Sequence, residues 1–265
     1  MTEVHAPGTT LACDIEGSGP DMLLIHSGVA DRRMWDPQWP WLTKSYRVVR
    51  YDQQGYGESP PGNGPVSPVR DALTVMDGAG MERAIVMGCA IGGETAVRLA
   101  LAHPTRVRAL VLIGTGLWGY TARLEGPVEL DERDRAWRRG DYERALALDE
   151  KVWIVGVGRQ AGQVDQAFLA FCRKMSRTRL RYADVHPTFT DDFHGEHSLG
   201  DLALPTLVVV GAEDLPHVLE SGRHIVATVP DATLEIVPDA AHLVSLERPE
   251  RFDSILRPWL ASLED

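Results

Sequence analysis

The chain has 265 residues, 44% of them hydrophobic, and its 38 Asp and Glu against 27 Lys and Arg give a formal net charge of −11. That length buries one full core with room for a sizeable insertion, and the acidic balance argues against nucleic acid as a partner. No apolar run approaches the roughly 20 residues of a membrane helix, so no membrane association is expected; the opening Met-Thr-Glu-Val-His-Ala-Pro lacks the pattern of a secretory signal, making a cytoplasmic address the default expectation.

In chain order, short apolar runs predict strands at Thr9–Ile15, Met22–Ile25, Tyr46–Tyr51, Ala84–Met87, Ala109–Ile113, Thr206–Val210 and Thr233–Ile236. Helical patterns fall between them, at about 35–43, 68–79, 91–103, 216–228 and 247–262. Strands alternating with helices predict an α/β fold with a mostly parallel central sheet. Unbroken runs such as Leu207-Val208-Val209-Val210 fit strands covered on both faces. From about Trp118 to Ser198 the strand signal disappears, and Val164, Phe168, Phe171, Cys172 and Met175 recur at helical spacing. A helical cap over 118–198, inserted into a core of 1–117 and 199–265, is the expected organisation. Cys13, Cys89 and Cys172 are too few and too scattered for a disulfide framework or a zinc ribbon, and are read as reduced thiols.

The segment Ile85-Val86-Met87-Gly88-Cys89-Ala90-Ile91-Gly92-Gly93 turns an apolar strand through small residues into a helix, with the spacing of the nucleophile elbow G-x-S-x-G. Alanine occupies the position of the serine. Glycine pairs at strand-to-helix turns are common, so this match alone is weak. Four further segments follow in order: Leu23-Leu24-Ile25-His26-Ser27-Gly28, Asp52-Gln53-Gln54-Gly55-Tyr56-Gly57-Glu58-Ser59, Val210-Gly211-Ala212-Glu213-Asp214, and Ala240-Ala241-His242 before Leu246-Glu247-Arg248-Pro249. Together they resemble the oxyanion loop, the D-x-R-G-x-G-x-S turn, the acid turn and the histidine loop of the α/β-hydrolase superfamily, most like its 3-oxoadipate enol-lactonase and esterase branch.

The resemblance implies a sheet of about eight strands and hydrolysis of a small carboxylic ester or lactone through an acyl-enzyme, with neither cofactor nor metal. Hydrolysis of a carbon–carbon bond by the same residues is the alternative enzyme. Ala90 marks the nucleophile position, His242 the base and Asp214 its orienting carboxylate, with Glu213 as the rival acid; Ile91 and Gly28 supply the oxyanion N–H groups. Ser27, Trp118, Trp153 and Phe168 are the candidate substrate contacts. His26 is expected to shape its loop rather than to catalyse, and Cys89 to be packed away from His242. His194-Gly195-Glu196-His197, with His186 nearby, is read as a solvated loop rather than a metal site. Oligomeric state is left open.

Three departures qualify the pattern: Gln54 stands for the usual arginine, Ser27 for the glycine of the oxyanion loop, and Ala90 for the nucleophile. An alanine cannot form an acyl-enzyme. Either a serine has been deliberately replaced, trapping substrate, or the chain is a natural variant that binds without hydrolysing or uses His242 alone for proton transfer. The retained His242, Asp214 and elbow glycines favour the first.

Overall fold

A computed structural model describes residues 2–117, 126–185, 189–190 and 198–263. Eight strands form one sheet: β1 (Thr2–Ala6), β2 (Thr9–Glu16), β3 (Asp21–Ile25), β4 (Arg47–Tyr51), β5 (Ala84–Cys89), β6 (Val107–Ile113), β7 (Thr206–Gly211) and β8 (Ala232–Val237). Their order is β1-β2-β4-β3-β5-β6-β7-β8. The β1–β2 and β2–β4 pairs are antiparallel and the other five are parallel. Every residue of β5 and β7 is buried, as the unbroken apolar runs require of strands with helices on both faces.

The helices are α1 (Trp39–Leu42), α2 (Pro68–Gly78), α3 (Ile91–Ala102), α4 (Val128–Arg138), α5 (Tyr142–Asp149), α6 (Gln166–Ser176), α7 (Pro216–Thr228), α8 (Val244–Glu247) and α9 (Pro249–Ser262). Where the sequence predicts one helix over 35–43, a single 3-10 turn (Arg32–Trp35) and the four-residue α1 stand instead. The helix expected over 247–262 is split into α8 and α9, because Pro249 disfavours a helical Arg248, which sits at φ −132°. One strand escapes the sequence reading altogether: β1, which folds back on β2 through Pro7 and Gly8, the latter at φ +79°.

Helices α4, α5 and α6 lie between β6 and β7, within the expected insertion. α5 continues into a π-helical turn over Glu150–Val155, which carries Trp153. Asp165 caps α6 by accepting the Phe168 N–H at 2.8 Å, and the helix buries Phe168, Leu169, Cys172 and Met175 in the core layer that also holds Trp35 and Phe252. Trp118, His186, His194, Glu196 and His197 lie outside the described residues.

Candidate active site

The site assembles at the carboxyl ends of β3, β5, β6 and β7 and the loop after β8. At the end of β5 the chain reverses into α3 through two backbone bonds: Ala90 N–H donates to Ile113 O at 2.9 Å, and Glu94 N–H to Ala90 O at 3.0 Å.

 The turn holds Ala90 at φ +53° and ψ −117°, a conformation that an L side chain rarely adopts and that costs on the order of 1–3 kcal/mol. Ile91 opens α3, so its N–H is among those left without an intrahelical acceptor at the positive end of the helix dipole.

After β7, Gly211 permits a close crossing. A Cβ there would fall 2.1 Å from Ala241 O, so only glycine lets the histidine loop lie against this turn. The acid turn is held by Glu213 N–H to Ala240 O (2.9 Å) and by Leu215 N–H to Asp214 Oδ1 (2.7 Å). Asp214 Oδ2 then meets His242 Nδ1 at 2.8 Å, and both residues are buried. Asp214, and not Glu213, is thus the carboxylate on the histidine. With Nδ1 engaged, Nε2 is the ring nitrogen left for proton transfer.

A cavity of about 300 Å³ joins Ala90 and His242, with Ser27, Gly28, Ile91 and Trp153 also in its walls. The Trp153 ring lies 4.5 Å from that of His242. Among the described residues no helix is long and apolar enough to cross a membrane, and no three His, Cys, Asp or Glu side chains gather as a metal site.

A family model described as the alpha/beta hydrolase fold matches residues 20–249. The chain belongs to the α/β-hydrolase fold family. It is 25% identical to 3-oxoadipate enol-lactonase 1 of Acinetobacter baylyi, with 100% of each chain covered. It is 28% identical to 2-hydroxymuconate semialdehyde hydrolase of Pseudomonas putida, over 99% of this chain and 94% of that one. The crystal structure of the enol-lactonase from Burkholderia xenovorans LB400 superposes with a TM-score of 0.79 at 27% identity, covering 98% of this chain and 100% of that one.

Within this α/β-hydrolase, two expectations need correction. Phe168 does not line the cavity over Ala90: it is packed into the core by α6, because helical spacing identifies an apolar face without saying which layer that face meets. Cys89 is buried as expected, yet its Sγ rests 3.9 Å from the backbone carbonyl of His242 rather than away from that residue. Burial pushes the thiol well above the ordinary range, which opposes formation of a thiolate.

Other features were not apparent from sequence. Arg133 and Arg179 reach the cavity from the insertion and share the buried Asp149, at 3.2 and 2.8 Å. Gly114, read only as a boundary, backs the histidine pair at φ +53°; a Cβ there would lie 3.0 Å from His242 Nδ1 and 3.3 Å from Asp214 Oδ2. His26 Nε2 accepts the Gln53 N–H at 2.9 Å, which leaves Nδ1 as the donor to Ser27 O at 2.8 Å. Those bonds tie the loop carrying Ser27 and Gly28 to the turn after β4. In that turn Gln54, at the position of the usual arginine, donates to both carboxylate oxygens of Asp71 and accepts the Gly62 N–H.

Proposed function

We propose that the chain binds a small carboxylic ester or lactone over Ala90, in the site of a serine hydrolase whose nucleophile has been replaced by alanine. The observation that carries this reading is the 2.8 Å Asp214–His242 bond facing an elbow that still holds its strained turn. A binding module with no history of hydrolysis would have little reason to keep both.

A serine at position 90 would present its hydroxyl to the substrate carbonyl while His242 Nε2 took the proton. Asp214 would hold the ring and stabilise its cation. Negative charge developing on the carbonyl oxygen would fall to the N–H groups of Ile91 and Gly28. His242 would then return the proton to the departing alcohol, and water would release the acid from the acyl-enzyme. With alanine, substrate can bind but no acyl bond can form. The insertion acts in this reading as a cap, with Trp153 and Arg179 closing the cavity over the reacting carbonyl.

The likeness to 2-hydroxymuconate semialdehyde hydrolase supports a second reading, carbon–carbon bond hydrolysis at the same residues. Turnover of a panel of aryl esters, lactones and 2-hydroxymuconate semialdehyde by the Ala90→Ser enzyme separates them. Ester or lactone hydrolysis should rise at least about 10³-fold over the alanine form. A folded Ala90→Ser protein inert on every ester and lactone would overturn the proposal, and cleavage of the semialdehyde alone would establish the second reading.

A further inference from the structure

Behind Ile91, on the side away from His242, lies a second cavity of about 240 Å³. It shares Tyr56, Ile91 and Glu94 with the cavity over Ala90, while Tyr51 and Val69 belong to it alone. Its size exceeds the roughly 150 Å³ at which an engineered apolar cavity takes up benzene.

Most of the polar groups around it are engaged. Gln54 holds Asp71, Thr95 Oγ1 donates to Ile91 O at 2.9 Å, Ser67 accepts the Arg70 N–H at 3.1 Å, and Glu94 pairs with Arg98 at 2.9 Å. The Tyr51 hydroxyl differs: it is fully buried and has no hydrogen-bond partner among the described residues. Leaving such a donor unmatched is costly, and burial keeps it protonated, hence a donor. Ile91, 42% exposed at the start of α3, stands between the two cavities with its side chain close to Gly28.

We propose that this second cavity is an acyl-arm subsite: the apolar acyl chain of a substrate bound over Ala90 passes Ile91 and Tyr56 into it, and Tyr51 Oη donates to an oxygen carried on that chain. The inference rests on the preceding reading that an ester or lactone carbonyl sits over Ala90. Direction follows from proton transfer. The leaving alcohol receives its proton from His242, so it must lie on the His242 side, and the acyl arm points the opposite way, toward Ile91. None of His242, Trp153 and His217 borders the second cavity.

The test titrates the protein as it stands, which should bind without turnover, with p-nitrophenyl acetate, butyrate, hexanoate and octanoate by calorimetry. Affinity should rise about three- to fourfold per methylene until the cavity is full. Val69→Trp, which fills the cavity, should flatten the series while acetate, too short to reach it, binds as before; Val69→Ala should keep the slope and guard against a folding defect. A second set carries one ether oxygen at successive chain positions. Tyr51→Phe should weaken at least one of its members threefold or more beyond the loss for its alkyl parent. A flat series, a slope unchanged by Val69→Trp, an equal loss for acetate and octanoate, or an ether set indifferent to Tyr51→Phe would overturn the proposal. Turnover by Ala90→Ser is read separately: chain-length dependence without turnover overturns hydrolysis and leaves the subsite, whereas turnover with a flat series does the reverse.

Discussion

Arg159 of the insertion grips Glu247 of α8 through two bonds, Nη1 to Oε1 at 2.7 Å and Nη2 to Oε2 at 3.2 Å. Glu247 Oε2 also accepts the N–H of Ala241, the residue before His242, at 2.8 Å. The insertion and the histidine loop therefore share one buried carboxylate. Arg159→Ala would leave that carboxylate without its cation and should destabilise the fold by about 3–5 kcal/mol. The double variant Arg159→Met with Glu247→Gln removes both charges while keeping an acceptor for Ala241, and should recover most of the loss. Urea denaturation of the three proteins measures this; an Arg159→Ala protein as stable as the parent would refute it.

Gly114 has no room for a methyl group beside His242 and Asp214, and its φ of +53° penalises any side chain. Gly114→Ala should cost about 1–3 kcal/mol. In an Ala90→Ser background it should also lower kcat at least tenfold, by shifting the imidazole. Gly116→Ala is the control, since nothing lies within 4 Å of its added Cβ. Equal behaviour of the two variants in thermal melts and kinetics would count against a positioning role for Gly114.

The elbow at Ala90 makes a simpler demand. Glycine adopts φ +53°, ψ −117° without the penalty carried by alanine, so Ala90→Gly should relieve on the order of 1–3 kcal/mol of strain. Greater freedom of the unfolded chain offsets about 0.4–1 kcal/mol of that. A net gain near 1 kcal/mol should raise Tm by roughly 2–4 °C. A melting point that falls would show that the turn carries no such strain.

Stability should also fall on the acid side of neutrality. Burial lowers the pKa of His26 from its ordinary value of 6.5, partly opposed by the nearby Asp52 and Asp31, and burial lowers that of His217 as well. The unfolded chain therefore binds more protons than the folded one below about pH 6.5. Stability is fully present above that value and is lost as pH drops toward the folded pKa values, by up to about 1.4 kcal/mol per pH unit for the fully buried His26 and by a smaller, solvent-screened amount for the half-buried His217. Denaturant titrations at pH 7.5, 6.5 and 5.5 would show it, and His26→Gln should reduce the slope. A pH-independent midpoint across that range would exclude this linkage.

Much of this arrangement is legible in the sequence because the elbow, the acid turn and the histidine loop, each just past an apolar strand, resemble in their order the motifs of the α/β-hydrolase superfamily. β1 is harder to see: it is a five-residue edge strand with three exposed positions, and its alternation in Thr2-Glu3-Val4-His5-Ala6 rests on just two apolar residues, Val4 and Ala6. Arg133 and Arg179 resemble the solvated arginines around them until folding brings both onto Asp149. Gly114 looks like a loop boundary because its neighbours, His242 and Asp214, are about a hundred residues or more away along the chain. Phe168 shows the converse error, a correct helical face assigned to the wrong neighbour.

The three buried cysteines lie in separate parts of the molecule: Cys13 in β2 near the sheet edge, Cys89 at the elbow and Cys172 in α6 of the insertion. Their isolation makes them internal clocks for local opening. A thiol-alkylating reagent can reach each one only when its own surroundings part, so the order in which the three are labelled, read by mass spectrometry of the native protein, would tell whether the insertion loosens before the strands beneath it.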